Sequence, residues 1–332
     1  MSLAKIEKII DVYPHPDADR LDLAKILNFQ CVIPKDMYKV GDIVVFIQPD
    51  NVLPDEPWAV DFRKYAPNRI RAIKLRGSWS EGLVIDIGLL QSIADSKNIK
   101  FNVCENEDVT EILNITHYEA PDGNNTGYVS SVLPYDIPKT DEKRYAALKK
   151  IQYDECVDVT LKIDGQSWSA FYHVEKDEFG ITGRRVVYDK DTHNAYTAHI
   201  QRYDIQNKLT QYCKNNNVSL CIRGESYGTG IQSTKNNPYS KQPKGLAIFS
   251  VYIIDENRYA FKGDKHYFID VCRELDLPTV PIIEKDVQLT SELINKYAVE
   301  LTKIDGVPFE GVVVKGCDFS FKIINKSYDS KK

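Results

Sequence analysis

The stretch Val157-Asp158-Val159-Thr160-Leu161-Lys162-Ile163-Asp164-Gly165-Gln166-Ser167-Trp168 decides how this chain is read. A lysine held among β-branched residues at the end of an expected strand is a candidate covalent nucleophile. Its amine could attack the α-phosphate of a nucleotide and hold the nucleotide as a phosphoramide. The tetrapeptide Lys162-Ile163-Asp164-Gly165 is weak alone: with Lys, Asp and Gly each at roughly 5–7% of residues, chance supplies such a match with a probability of about 10%. The chain carries a second copy, Lys303-Ile304-Asp305-Gly306. That copy comes after Ser291–Leu301, whose apolar spacing is helical, so Gly306 reads as a helix stop and Lys303 as structural.

Lys162 differs in its downstream partners. A nucleophilic lysine starts as ammonium, with an ordinary pKa of about 10.4, and needs neighbouring cations or a partly desolvated site. A triphosphate needs Mg²⁺ and cationic groups, and a purine needs a stacking face. Arg223-Gly224-Glu225-Ser226-Tyr227-Gly228 places a carboxylate at a strand end beside glycines. Phe309-Glu310-Gly311-Val312-Val313-Val314-Lys315 repeats the arrangement; strand alternation groups Glu310 with Val312 and Val314, and Val313 with Lys315. Glu225 and Glu310 could hold Mg²⁺ or Mn²⁺ largely through water, with nucleotide phosphate completing the shell. Phe249, in Leu246–Tyr252, suits an adenine face. Lys322 and Lys326, in Phe321-Lys322-Ile323-Ile324-Asn325-Lys326, place cations where they could reach the α-phosphate.

The bulk properties set the frame. A chain of 332 residues with 42% hydrophobic and 27% charged residues is expected to be a globular protein of two domains. No apolar run approaches the ~20 residues that cross a bilayer, and Met1–Lys5 opens no apolar leader, so an intracellular (cytoplasmic or nuclear) protein with no membrane partner is expected. Seven cysteines lack any Cys-x-x-Cys pair, which fits reduced thiols rather than a zinc site. A net charge of −5 argues against coating nucleic acid by bulk attraction. Basic clusters remain at Arg69, Arg71, Lys74 and Arg76, at Arg184 and Arg185, at Lys235, Lys241 and Lys244, and at Lys322, Lys326, Lys331 and Lys332.

Residues 1–115 alternate short strand-like runs (Ile6–Val12, Ile43–Gln48, Ile70–Leu75, Gly82–Ile87) with turns, the pattern of a small OB-like β-barrel that binds nucleic acid. Residues 116–140, with Pro121-Asp122-Gly123-Asn124-Asn125-Thr126-Gly127, read as a linker. Thr140-Asp141-Glu142 is expected to start a helix that Lys149-Lys150 end. Strands then alternate with helical segments near 194–214, 263–275 and 290–302. The fold class is therefore α+β, with 141–332 forming a domain on antiparallel sheets.

With these residues in view, the chain resembles the covalent nucleotidyltransferase superfamily, and within it the ATP-dependent RNA ligases with an N-terminal OB domain, typified by the Naegleria and Deinococcus RNA ligases. Val12–Lys25, with Pro14-His15-Pro16-Asp17, also resembles the opening of OB-type tRNA-binding domains. The ligase resemblance spans about 156–328 and extends to the N-terminal domain. It implies that Lys162 becomes AMP-linked, with Asp164 and Gly165 completing the nucleophile motif. It implies that Arg184, or else Arg185, contacts the ribose or a 5′-phosphate end, that Glu225 is a ribose or metal-water carboxylate, and that Phe249 stacks on adenine. Glu310 is similar to the metal-site glutamate, Lys315 to a cofactor-side residue of the same motif, and Lys322 to the basic residue at the α-phosphate. The expected activity is joining of 3′-OH and 5′-phosphate ends, free or in a nicked duplex, for RNA repair, by a monomer.

Two departures stand out. Related ligases often carry Lys-x-Lys in the final motif, which Lys322-Ile323-Ile324 breaks, leaving Lys326 as a substitute. Leu161, before the nucleophile, offers no polar contact to adenine. DNA ligases and capping guanylyltransferases share the chemistry but usually carry a further OB domain, for which the six residues after Lys326 leave no room. A non-catalytic tRNA- or RNA-binding OB adaptor is the alternative of another class, and the complete set from Lys162 to Lys322 counts against it.

Overall fold

Alternating apolar residues make Ala4–Pro14 the central strand of an antiparallel sheet. Its first half pairs with Ile43–Ile47 and its second half with Leu21–Ile26, with a register shift between Ile9 and Asp11. One strand thereby serves two neighbours in turn, and the bulge turns the sheet between them. Phe29–Pro34 and Leu83–Ile85 complete the five-stranded sheet. Ala4, Ile6, Val45 and Ile47 pack with Ile85 and with Leu90, Ile93 and Ala94 of helix Ile87–Ser96. A second cluster gathers Ile9, Ile26, Phe29 and Phe46. This computed structural model describes residues 3–119, 127–234 and 236–331. Lys235, Lys332 and the turn-rich 121–126 lie outside them.

The chain divides into two compact units. The first comprises Met1–Pro121, Arg144–Ile151 and Asp329–Lys331; the second comprises Asp122–Lys143 and Gln152–Tyr328, with Lys332. In the first unit, Arg69 of the basic cluster over 69–76 belongs to a recessed charge cluster. It meets Asp50 at 3.2 Å and Asp329 at 3.2 Å, and Arg144 meets Asp50 at 2.6 Å. Asp329, only 4% exposed, also accepts from the Ala72 amide at 3.1 Å. Paired and partly buried, Arg69 is a structural cation. Lys74 remains exposed, 5.2 Å above the Trp79 ring.

Among the described residues the second unit holds two large sheets and a two-stranded hairpin. Seven strands run in the order Tyr128–Ser130, Val187–Tyr188, Glu178–Thr182, Gln166–His173, Leu220–Tyr227, Gly245–Ile253, Arg258–Tyr259. Four run in the order Ile282–Gln288, Cys156–Lys162, Gly311–Lys315, Ser320–Ile324. Trp168, Ala170, Ile222, Ile248 and Val251 from the larger sheet form one core with residues of helices Ile205–Asn216 and Phe268–Leu275. In the smaller sheet, Val159, Val312, Val314, Phe321 and Ile323 are buried on one face.

Several expectations are corrected. No α-helix fills 140–150; the described structure there is a 3₁₀ turn, Tyr145–Ala147. The expected strand Ile70–Leu75 shrinks to Ile73–Leu75, and Gly82–Ile87 to Leu83–Ile85, because a helix capped by Asp86 begins at Ile87. Ser291–Asn295 is helical and passes into a π-helical turn over Lys296–Glu300. Gly306 is no helix stop: Lys303–Ile304 and Val307–Pro308 form a small hairpin turning on Asp305 and Gly306.

Candidate active site

Lys162 is the last residue of strand Cys156–Lys162 and pairs with Gly311. Pairing with Gly311 leaves no side chain beside the lysine, and a Cβ there would overlap the Ile323 carbonyl oxygen. Register places Asp158, Thr160 and Lys162 on one face with Val313 and Lys315, and with Ser320 and Lys322 beyond them. The opposite face is the apolar one, so burial fixes which way the lysine points. Its Nζ donates to Glu310 Oε2 at 2.5 Å. Strict alternation would group Glu310 with buried Val312 and Val314. Glu310 instead precedes strand Gly311–Lys315, and its carboxylate reaches the amine.

Asp164 and Gly165 of the motif are each held by residues distant in sequence, Gly165 by the larger sheet. Asp164 is 4% exposed; its carboxylate accepts from Tyr328 Oη at 2.8 Å and its carbonyl from Asn237 Nδ2 at 2.8 Å. The Gly165 amide donates to Glu225 Oε1 at 3.1 Å, and a Cβ on Gly165 would collide with the Ser226 carbonyl and lie 2.9 Å from Glu225 Cγ. Only glycine permits that approach. Glu225 lies within strand Leu220–Tyr227, two residues from its end. Burial pushes its pKa up to about 8; Lys162 pulls it down, and Glu310 and Asp164 push it further up. An excess of buried carboxylate is the environment a cation relieves. Among the described residues no three His, Cys, Asp or Glu side chains form a metal cage. Glu225 and Glu310 could together hold a hard divalent ion that keeps most of its waters.

Phe249 occupies a β-bulge. Arg223 pairs with Ser250 and Gly224 with Ile248, so Phe249 faces no partner and is only partly buried beside the core. Bulges re-aim side chains next to active sites. Arg184 sits in the turn closed by the Gly183 amide and the Val186 carbonyl at 2.9 Å, with Arg185 next to it in the same turn. Lys322 Nζ donates to Asp141 at 3.2 Å, and Arg184 Nη2 meets the same carboxylate at 3.7 Å. Lys315 is 5% exposed, with Nζ 5.3 Å over the Phe268 ring, and burial lowers its pKa. Lys326, 8% exposed, opens the helical turn Lys326–Asp329.

The sequence matches the RNA ligase family over residues 155–324, just over half of the chain, and an OB-fold domain over residues 3–87. The chain belongs to the RNA ligase family. It is a ligase that forms phosphodiester bonds in RNA, built as an N-terminal OB-fold unit and an α+β unit on antiparallel sheets. Its structure is similar to that of a Naegleria gruberi RNA ligase variant with AMP and Mn, at a TM-score of 0.83 and 26% identity, covering 100% of this chain and 99% of the other. A second variant of that ligase, with ATP and Mn, matches at a TM-score of 0.82 and 25% identity over 99% of both chains. The Naegleria gruberi ligase with PPi gives 0.82 and 25%, covering 99% of this chain and 98% of the other. No match was found among curated protein sequences. No helix of the described structure is long and apolar enough to cross a membrane.

Sequence reasoning missed several residues of this ligase's site. Tyr328 holds Asp164, and Asn325, 1% exposed, accepts the Tyr328 amide on its side chain and donates its own amide to the Glu310 carbonyl at 2.9 Å. His199, 4% exposed, meets Ser226 Oγ at 2.9 Å, and desolvation lowers its pKa to about 4. Tyr239 feels Glu310, and burial raises its pKa to about 12. No local pattern flags these residues, because each acts through a contact distant in sequence. Asp141 carried a signal, but of another kind: it read as a helix start.

Proposed function

We propose that this RNA ligase uses ATP and becomes adenylylated on Lys162. The Lys162 amine, once deprotonated, attacks the α-phosphorus; an N–P bond forms, the bond to the bridging oxygen breaks, and pyrophosphate leaves. A 5′-phosphate oxygen of RNA then attacks the same phosphorus and releases Lys162, giving an adenylylated 5′ end. Attack by a 3′-OH on the 5′-phosphorus forms the phosphodiester and releases AMP. The observation that carries the reading is the convergence of Glu310 on Lys162 at 2.5 Å, with Glu225 bonded to the Gly165 amide.

Glu225 and Glu310 would hold Mg²⁺ or Mn²⁺ largely through water, an ion that when bound stabilises charge on the phosphoryl oxygens. Phe249 stacks on adenine, where the bulge leaves it without a cross-strand partner. Lys322, and less directly Lys326, neutralises the α-phosphate. Arg184, with Arg185 as its neighbour, meets the ribose or the RNA 5′-phosphate. Lys315, buried on the same face as Lys162, adds charge rather than a direct contact. Asp164, held by Tyr328, orients the nucleophile loop. The substrates are RNA ends, including nicked duplexes, handled by an intracellular monomer in RNA repair.

Incubation with ATP labelled on its α-phosphate tests the reading. Label is expected on the wild-type protein, lost on acid treatment as phosphoramides are, and absent from Lys162→Ala. Equal labelling of both proteins would overturn it.

A further inference from the structure

Residues Pro138–Lys143 form a strap that touches the two large sheets of the second unit. Fully buried Arg223 donates to the Pro138 carbonyl, and the Thr140 and Ser167 hydroxyls share a hydrogen bond, which fixes the strap to the larger sheet. Ser320 Oγ donates to Glu142 at 2.8 Å, and the Lys322 amide donates to the Lys143 carbonyl at 2.8 Å, which fixes it to the smaller. Between these anchors stands Asp141. Its two oxygens face cations from different sheets: Lys322 Nζ at 3.2 Å and Arg184 Nη2 at 3.7 Å.

We infer that Asp141 is a positioning residue for phosphoryl transfer, acting through Lys322 and Arg184; the inference rests on the proposed adenylylation of Lys162. Lysine and arginine side chains lose much rotamer freedom when they bind a phosphate. A carboxylate clamped on a strap removes part of that freedom beforehand and aims both cations at one place. The contact to Arg184 at 3.7 Å is too long for a hydrogen bond, so it orients the guanidinium without taking up its donors. Asp141 itself is 24% exposed, so the pair opens toward solvent, where an oxyanion can enter.

The test is single-turnover adenylylation of D141N, D141E, K322A and the D141N/K322A double variant, all well below their lowest melting temperature. D141N should slow the step about 10- to 100-fold, less than loss of a direct oxyanion donor, and D141E should recover part of the rate. Because Asp141 acts partly through Lys322, D141N should cost clearly less in the K322A background than in wild type, the remainder running through Arg184, whereas independent sites would multiply. A wild-type rate in D141N, or multiplicative losses in the double variant, overturns the inference. Labelling of Lys162→Ala would sink the adenylylation reading itself; a fast D141N protein beside an unlabelled Lys162→Ala protein removes Asp141 alone.

Discussion

At residues 162–165 the sequence Lys-Ile-Asp-Gly ends an inner strand of the smaller sheet and leads into a strand of the larger one. At residues 303–306 the same four residues make an exposed hairpin. In the first copy Asp164 is buried under Tyr328 and Gly165 touches the Ser226 carbonyl. In the second, Asp305 and Gly306 have φ of 49° and 79°, and a Cβ on Gly306 would meet open space. Two left-handed residues in a two-residue loop are what an Asp-Gly hairpin requires. The glycines are thus needed for different reasons: Gly165 for close approach, Gly306 for its backbone angle. Chemistry belongs to the copy whose surroundings supply carboxylates, and the tetrapeptide only permits it.

The sharpest way to break the comparison is to exchange each lysine. Lys162→Ala should abolish the AMP adduct and Lys303→Ala should leave it at the wild-type level, since only Lys162 meets Glu310. An adduct that depends on Lys303 would reverse the assignment of the two copies.

The support beneath the first copy should also be acid-labile. His199 bonds Ser226, and its folded-state pKa is lowered to about 4 from an ordinary 6.5 by desolvation, then by Arg202 and Lys244. The unfolded chain takes up a proton between those values and the folded chain does not. The stability contribution is therefore complete above about pH 6.5 and is lost as pH falls toward 4, by up to about 3 kcal/mol. Urea unfolding at a series of pH values should show a flatter slope for His199→Asn than for wild type; equal slopes would show that His199 does not resist protonation.

Alanine at the two glycines separates crowding from backbone strain. Gly165→Ala should cost about 1–3 kcal/mol by overpacking and disable adenylylation. Gly306→Ala should cost about 1 kcal/mol through its positive φ and leave activity intact. Adenylylation at full rate in Gly165→Ala would mean that the loop can retreat from Ser226. Tyr328→Phe probes the support of the same loop from the Asp164 side. Loss of one buried hydrogen bond to a charged group should cost about 1.5–3 kcal/mol at most, and less if water replaces the hydroxyl. Its adenylylation rate should fall while ATP affinity holds; a change confined to affinity would place Tyr328 at the nucleotide rather than behind Asp164.

Much of this architecture is legible in the sequence. The β-branched run before Lys162, the strand around Glu225 and the helical segments obey period and propensity, which local sequence carries. Asp305-Gly306 is itself a hairpin signal, outweighed in the reading by the helical pattern before it. What local sequence does not carry is direction at the ends of elements. Glu310 leaves the alternation of its strand, Phe249 sits where a bulge resets the register, and Thr140-Asp141-Glu142 resembles a helix cap yet bonds Ser167, Lys322 and Ser320 instead. In each case a partner distant in the chain overrides the near neighbour.

The first unit's charge cluster has a consequence for biosynthesis. Asp50 and Arg69 leave the ribosome early, Arg144 later, and Asp329 much later still, and the Ala72 amide also awaits Asp329. A nascent OB-type unit can collapse around its own strands during translation, but Arg69 lacks half of its ion-pair set until residue 329 emerges. Final locking of the earliest-made part of the molecule therefore comes only once residue 329 has cleared the ribosome, and ribosome-stalled chains ending before it should hold that unit in a looser, more protease-sensitive form.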